Sequence, residues 1–520
     1  MWTTKSILLS GSILASASVS AQFADIHPGY APNGLILSLP DPGREEGTYG
    51  SCIDGEGRIL QFGNTADMNI PDVGYAAILR WSADGVADAE FGTNGRMEIP
   101  GYLVYSGMSF PSGEVIAFSI NLDDLGPAKL IRLTPSGALD TTFGNNGFLP
   151  APFTVPQNWA PMLATQDGRV AFAFATDNTG YIAMLNADGS LDASFGTNGL
   201  FSTPVGTSCQ VMRLVQDNEG NYLLGGTFWT SERPIQPGVM RISPTGQVDQ
   251  SFGINGITPP GILGTLTGRA VSSIVVEPNG NIVIGGLRRL SSLGTVFGLA
   301  RLLPNGQLDP ATPNNGQALT TFSNDTRRLH VYDLARDPVG RILAFGQLRS
   351  DQSHQNKQPA WACFKEDLTI DPSFGNAGLM PLTGAIYMHH EGQIHRLPNG
   401  DIVSSTYYSR AGGQAVTGIS RLDLSLPTDV ENPATDEPLL LHPNPASYVV
   451  NVGIPHDANG MVEHTLLDLT GRPVWTMAPR NVSAHETLVL ELPTTLTSGV
   501  YILVQRGARY ERTARLVVEH

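Results

Sequence analysis

The sequence predicts an all-β protein, a seven-bladed β-propeller followed by a small Ig-like β-sandwich. Three observations carry that expectation. A glycine turn followed by an apolar run recurs seven times, and a second motif recurs six times in phase with it. After Leu426 the repeats stop and short alternating segments begin. Radial repetition of units of four short strands is the pattern of propeller blades. The composition agrees with it. The 520 residues include 58 glycines and 37 prolines without a collagen-like triplet period, as a turn-rich β protein requires.

Charge narrows the function classes. There are 31 Lys and Arg against 47 Asp and Glu, a net charge of −16 and a pI near 5.1. Such a chain lacks the basic stripes that neutralise a phosphate backbone, so no nucleic-acid partner is expected. Charged residues make up only 15% of the chain, too few for a disordered polyelectrolyte. Beyond the N-terminus no apolar run reaches the ~20 residues of a transmembrane span.

The N-terminus reads as an address. Lys5 supplies the positive region, Ile7 to Val19 is an apolar and small-residue stretch, and Val19-Ser20-Ala21 is a small-x-small cleavage site. Gly11 and the serines disfavour a buried helix there. Residues 1–21 are therefore expected to be a signal peptide. Cys52, Cys209 and Cys363 are odd in number and widely spaced, which fits buried free thiols better than disulfide staples or a CxxC metal site.

The repeat occupies residues 22–426. Asp-x-x-Phe-Gly-x-x-Gly appears at Asp88–Gly95, Asp140–Gly147, Asp192–Gly199, Asp249–Gly256 and Asp371–Gly378, and at Asp309–Gly316 with Thr312 in place of Phe. The turn motif places Gly57, Gly113, Gly168, Gly220, Gly280, Gly340 and Gly400 before runs such as Ile282–Ile284. Each unit reads as a strand after Asn-Gly (Leu200–Ser202), a strand before the turn (Met212–Val215), a strand after it, and a fourth ending in LIRL, VMRI or LARL. Near-continuous apolarity in the third suits burial on both faces. A linear solenoid is the competing architecture. Seven copies favour closure, and half-units at both ends (Leu35–Leu39 and Gly418–Leu424) would meet to complete the last blade.

The motif residues have structural explanations. Asp88, Asp140, Asp192, Asp249 and Asp371 would accept backbone N–H groups two or three residues on. Phe91, Phe143, Phe195, Phe252 and Phe374 would wedge between blades, each contributing roughly 1.5–3 kcal/mol of burial. A calcium reading is weaker, because calcium loops gather several oxygen ligands and each motif supplies one carboxylate. The array resembles the delta-60 repeat family of exported bacterial proteins. That resemblance implies the fold and no activity.

Residues 427–438 are acidic and proline-rich, a linker. Residues 439–520 alternate in short segments, VVNVGI, HTLLDL, LVLEL, VYILVQ and ARLVVE, as a β-sandwich would. His442–Ser447, Leu466–Trp475, Leu496–Gly507 and the terminal RLVVEH resemble the type A sorting domain of the bacterial type IX secretion system. Pro443, Asn444, Pro445, Gly471, Gly499 and Tyr501 match its motif, while His442 and Pro473 depart from it. The resemblance implies recognition of residues 439–520 by the type IX machinery and export across the outer membrane. It further implies removal of the domain, with release of the cargo or attachment to surface lipopolysaccharide.

Chemistry is sparse. No Gly-x-Ser-x-Gly, His-Glu-x-x-His or phosphate loop occurs. His389, Glu391 and His395 share strand parity beside His390, yet Gly392 breaks the strand, so no metal or cofactor is expected. Glu114, Asp123 and Asp124 are read as solvated. The loops between third and fourth strands vary freely, and Trp229, Arg233, Arg288, Arg289 and Tyr407 are the anchors expected on that face. The expected protein is a non-catalytic surface or extracellular binder of a glycan or protein. The alternative is a polysaccharide-active or other hydrolytic propeller enzyme with a carboxylate pair in its channel.

Overall fold

A computed structural model describes residues 25–519, apart from 27–34, 39–43, 68–73, 123–127, 153–160, 166, 205–206, 232–234, 264–270, 291–293, 320–327, 350–356, 383–386, 389–391, 410–414, 424–438, 440, 455–459, 468–472, 484–485 and 508–510. The chain divides into two compact units, Met1–Ser425 and Leu426–His520. The signal-peptide and linker readings lie outside the described residues. No helix among those described is long and apolar enough to cross a membrane.

The first unit is built of antiparallel sheets, seven among the described residues. The first sheet runs Arg44–Ile53, Ile59–Asp67, Gly74–Trp81, Arg96–Pro100, in chain order from its first strand to its last. Five further sheets follow the same up-and-down order, beginning at Tyr102–Ser109, Met162–Ala164, Ser208–Gln216, Val271–Val276 and Arg328–Arg336. The seventh contains Gln393–Arg396, Ile402–Ser409 and Ala415–Asp423. Its outer edge is completed from the start of the chain, with Leu35 opposite Ser420 and Asp25 opposite Asp423. First strands of consecutive sheets lie side by side, and that of the seventh lies beside that of the first.

The second strands are the most deeply buried, because sheets pack on both of their faces. Val115–Asn121 is buried at all seven positions. Turns are uniform as well. The first and second strands are joined by five residues in every sheet, from 54–58 through 397–401. Asp54, Asp217 and Asp337 shape three of these turns, each Oδ1 accepting the N–H groups two and four residues on.

One strand assignment changes. Leu200–Ser202, expected to open a unit, instead pairs with Thr179–Leu185 as the outermost strand of the preceding sheet, Phe201 opposite Ile182. The Asp-x-x-Phe-Gly motif is therefore a hairpin within a sheet, not a passage between sheets. Its geometry turns the chain straight back: in the first copy Gly95 N–H donates to Phe91 O, and Arg80 N–H to Gly95 O. The passage to the next sheet comes only after this outer strand, as at Gly101 between Pro100 and Tyr102.

The second unit has two antiparallel sheets. One contains Leu441–His442, Val449–Gly453 and Thr487–Glu491, the other Pro473–Val482, Gly460–Leu467, Gly499–Gly507 and Glu511–Val518. Alternation places Val450, Val452, Leu488 and Leu490 in one core with Leu466, Leu503 and Leu516. Val449 and Val489, one residue out of phase, are exposed.

Candidate functional site

The repeat residues come together as a three-part fastening. Asp88 Oδ1 accepts the Glu90 N–H, and its Oδ2 accepts Arg80 Nε at 2.7 Å. The Arg80 guanidinium lies 4.5 Å from the centre of the Phe91 ring and donates Nη1 to Pro135 O in the next sheet. Arg132, Asp140 and Phe143 repeat this, reaching Ala187 O, and so do Arg241, Asp249 and Phe252, reaching Pro304 O. Phe91, Phe143, Phe195, Phe252 and Phe374 are all buried. Burial pushes the Asp249 carboxyl up, but donors from Ser251 and Arg241 outweigh it and hold it below the usual range. In the third sheet Met184 stands where the arginine would be, and Arg169 from the five-residue turn reaches Asp192 instead. Arg341 plays the same part toward Asp371 at 3.4 Å.

Sequence reasoning missed the arginine. Its signal was present, a residue eight positions before the motif aspartate at 80, 132, 241 and 301. Arg421 in the seventh sheet donates to Ala83 O and Asp84 of the first sheet.

The first strands carry a second constellation. The Asp333 carboxylate is fully buried and accepts both contacts from Arg213 Nη2, at 2.7 and 2.8 Å. It also accepts the Ser273 hydroxyl at 2.6 Å and the N–H groups of Leu334 and Ile394 at 2.9 Å. Arg213, Ser273, Asp333 and Gln393 are spaced by 60 residues, one per sheet. The Gln393 side-chain oxygen continues the series by accepting the Ser51 N–H and hydroxyl in the first sheet. Ser51 Oγ and His395 Nε2 are 2.8 Å apart. Burial pushes the His395 imidazole down to about 4, against the pull of Asp333 and with that of Arg213. The Cys52 thiol is pushed up to about 12 by burial. All three cysteines are free and lie in strands.

The other sequence-predicted residues fall as follows. Trp229 closes the second strand of the fourth sheet and is half-buried. Tyr407 is half-buried over Gly47. Arg288 and Arg289 lie in the strand Ile282–Leu290, and Arg233 is outside the described residues. Asp123, Asp124, His389, His390, Glu391 and Gly471 are outside them too. Among the described residues no group of His, Cys, Asp and Glu could hold a metal. In the second unit Asn444 donates to Arg515 O and accepts from Val517 N–H, fastening the exposed Pro443–Pro445 segment to the last strand. The peptide bonds preceding Pro443 and Pro445 are cis. Tyr501 donates its hydroxyl to Thr497 O at 2.8 Å, just before the strand that Gly499 opens.

Residues 167–195 and 277–311 match the family described as a domain of unknown function (DUF5122) beta-propeller. The fold is a β-propeller. Similar solved structures include the polysaccharide lyase Uly1, 10% identical over 76% of this chain and 90% of that one, with a TM-score of 0.41. A Dyadobacter fermentans protein of unknown function is 10% identical over 75% and 98%, at 0.36. PorZ, a surface component of the Porphyromonas gingivalis type IX secretion system, is 12% identical over 91% and 75%, at 0.20. At these scores none assigns an activity to the propeller. No curated protein sequence matches this chain.

Proposed function

We propose that the protein is an exported, closed seven-bladed propeller of delta-60 type that binds a glycan or protein at or beyond the cell surface without catalysis. One observation carries the binding reading. First and second strands are joined by five residues in every sheet, whereas second and third strands are joined by two residues at 177–178 and by seven at 350–356. The uniform turns share their side with the arginine fastenings, since Arg58 approaches Asp88 and Arg169 reaches Asp192. That side is committed to holding the sheets together. The opposite side carries the variation, where binding residues are usually found on a rigid scaffold. Closure is supported by the Leu35 strand in the seventh sheet and by the Arg421 and Gln393 contacts to the first. A glycan and protein array probed with the full chain should give a ligand that is lost when 350–356 is replaced by the two-residue loop Asp-Asn. Turnover of a polysaccharide substrate, or undiminished binding by the loop variant, would overturn this reading.

Delivery belongs to the same proposal. Residues 1–21 direct the chain to the periplasm, and residues 439–520, an Ig-like type A sorting domain, present it to the type IX machinery. Residues 427–438 are acidic and proline-rich with few large apolar side chains, the composition of a linker open to a protease. The mature extracellular protein should begin at Gln22 and end within about 427–439. Deleting Leu439–His520 should leave a folded propeller in the periplasm. Intact-mass measurement of the surface and medium fractions decides it. A mass that includes His520 removes cleavage, and normal export of the deletion removes the sorting role.

A further inference from the structure

A cavity of about 260 Å³ lies among the first strands of five of the seven sheets, with lining residues from 50–53, 106–109, 161–164, 213–215, and 393 and 395. Some of its polar groups lack partners among the described residues. Ser106 is only 5% exposed, lines the cavity, and its hydroxyl has no hydrogen-bond partner among the described residues. Gln393 commits its oxygen to Ser51, which leaves its amide nitrogen without a partner among the described residues. Arg213 uses one terminal nitrogen on Asp333 and is itself one of the lining residues. A buried hydroxyl with no partner costs free energy unless something arrives to satisfy it.

Charge limits what can arrive. Asp333 neutralises Arg213, and the lining includes no Asp or Glu among the described residues. His395 is held neutral by burial, and the Cys52 thiol keeps its proton. An ion entering would lose hydration without gaining a counter-charge. The remaining wall is aliphatic, formed by Ile53, Met108, Leu163 and Val215. Pockets for larger organic ligands run from ~300 to ~1,000 Å³, so this one accommodates about a single ring.

We propose that this cavity binds a small neutral polyhydroxylated molecule of monosaccharide size. Each hydroxyl of such a ligand both donates and accepts. It can therefore meet the Ser106 hydroxyl, the Gln393 amide and the Arg213 guanidinium together, while its C–H face rests on Val215 and Leu163. The site lies among the first strands rather than on the variable loops, so this inference and the surface-binding reading can fail separately.

The test is calorimetric titration of the full chain with D-glucose, D-galactose and D-mannose, with D-glucuronate and inorganic phosphate as charged comparators. At least one neutral hexose should bind with one-to-one stoichiometry and more tightly than either anion. Ser106→Ala should weaken it by about tenfold, equivalent to the loss of one hydrogen bond. The same variant should not lower the unliganded melting temperature, because it removes an unpaired group. Val215→Phe should abolish binding by filling the space, and loop-face binding should survive it. Absence of binding by all three hexoses, tighter binding of an anion, or unchanged affinity in Ser106→Ala overturns the proposal. If Val215→Phe does not fold, the Ser106→Ala pair of measurements still decides it.

Discussion

Asp333→Ala should cost the propeller about 3–5 kcal/mol, read as a fall in the denaturant midpoint of its unfolding transition. The carboxylate is fully buried and answers donors from four sheets, Arg213, Ser273, Leu334 and Ile394. Removing it orphans the Ile394 N–H and the Arg213 cation, which has no other carboxylate bound to it among the described residues, while the Leu334 N–H keeps only Ser273 Oγ as acceptor. The size of the effect comes from those abandoned partners rather than from the attraction itself, which its own desolvation largely offsets. Pairing Asp333→Leu with Arg213→Met should recover part of the loss, because no charge is left stranded. A loss below about 1 kcal/mol in Asp333→Ala, measured in the full chain, would show that water reaches the site and replaces the carboxylate.

Phe252→Ala should cost about 3–5 kcal/mol. The ring is fully buried, with the Arg241 guanidinium 4.7 Å from its centre. The ring also meets the next sheet at Gly306, where a Cβ would fall 2.8 Å from it and φ is +79°. That glycine satisfies two demands at once, a left-handed turn and contact with a flat aromatic face. Neither wall can collapse easily into the space, since one is a turn backbone and the other a guanidinium held by Asp249 and Pro304 O. Gly306→Ala should therefore also destabilise, from the opposite side of the same contact. A loss below about 1 kcal/mol for Phe252→Ala would mean that the ring is solvated.

The repeat was legible because its chemistry is local. Positive-φ glycines, an aspartate capping its own turn and an apolar second strand all act within a dozen residues, so they recur in the text wherever the geometry recurs. The place of the strand after each Asn-Gly was not legible in that way. A short extended piece can pair forward or backward, and the hairpin hydrogen bonds around Phe91 and Gly95 decide for the preceding sheet.

The sequence by itself determined an all-β chain of repeated units with a distinct C-terminal segment. Period, turn residues and apolar runs are enough for that. Tertiary structure alone decided which side chains meet. His395 stood in the sequence beside His389 and Glu391 as a conceivable ligand set, and the fold places it against Ser51, 344 residues away. Arg213, Ser273, Asp333 and Gln393 occupy equivalent positions 60 residues apart, yet they are four unlike residues and read as no motif. Their hydrogen bonds run from Ser273 and Ile394 to Asp333 between neighbouring sheets, and from Arg213 to Asp333 across to the next sheet but one. Such contacts depend on which strands lie side by side once the sheets have packed, and no local pattern of residues encodes that.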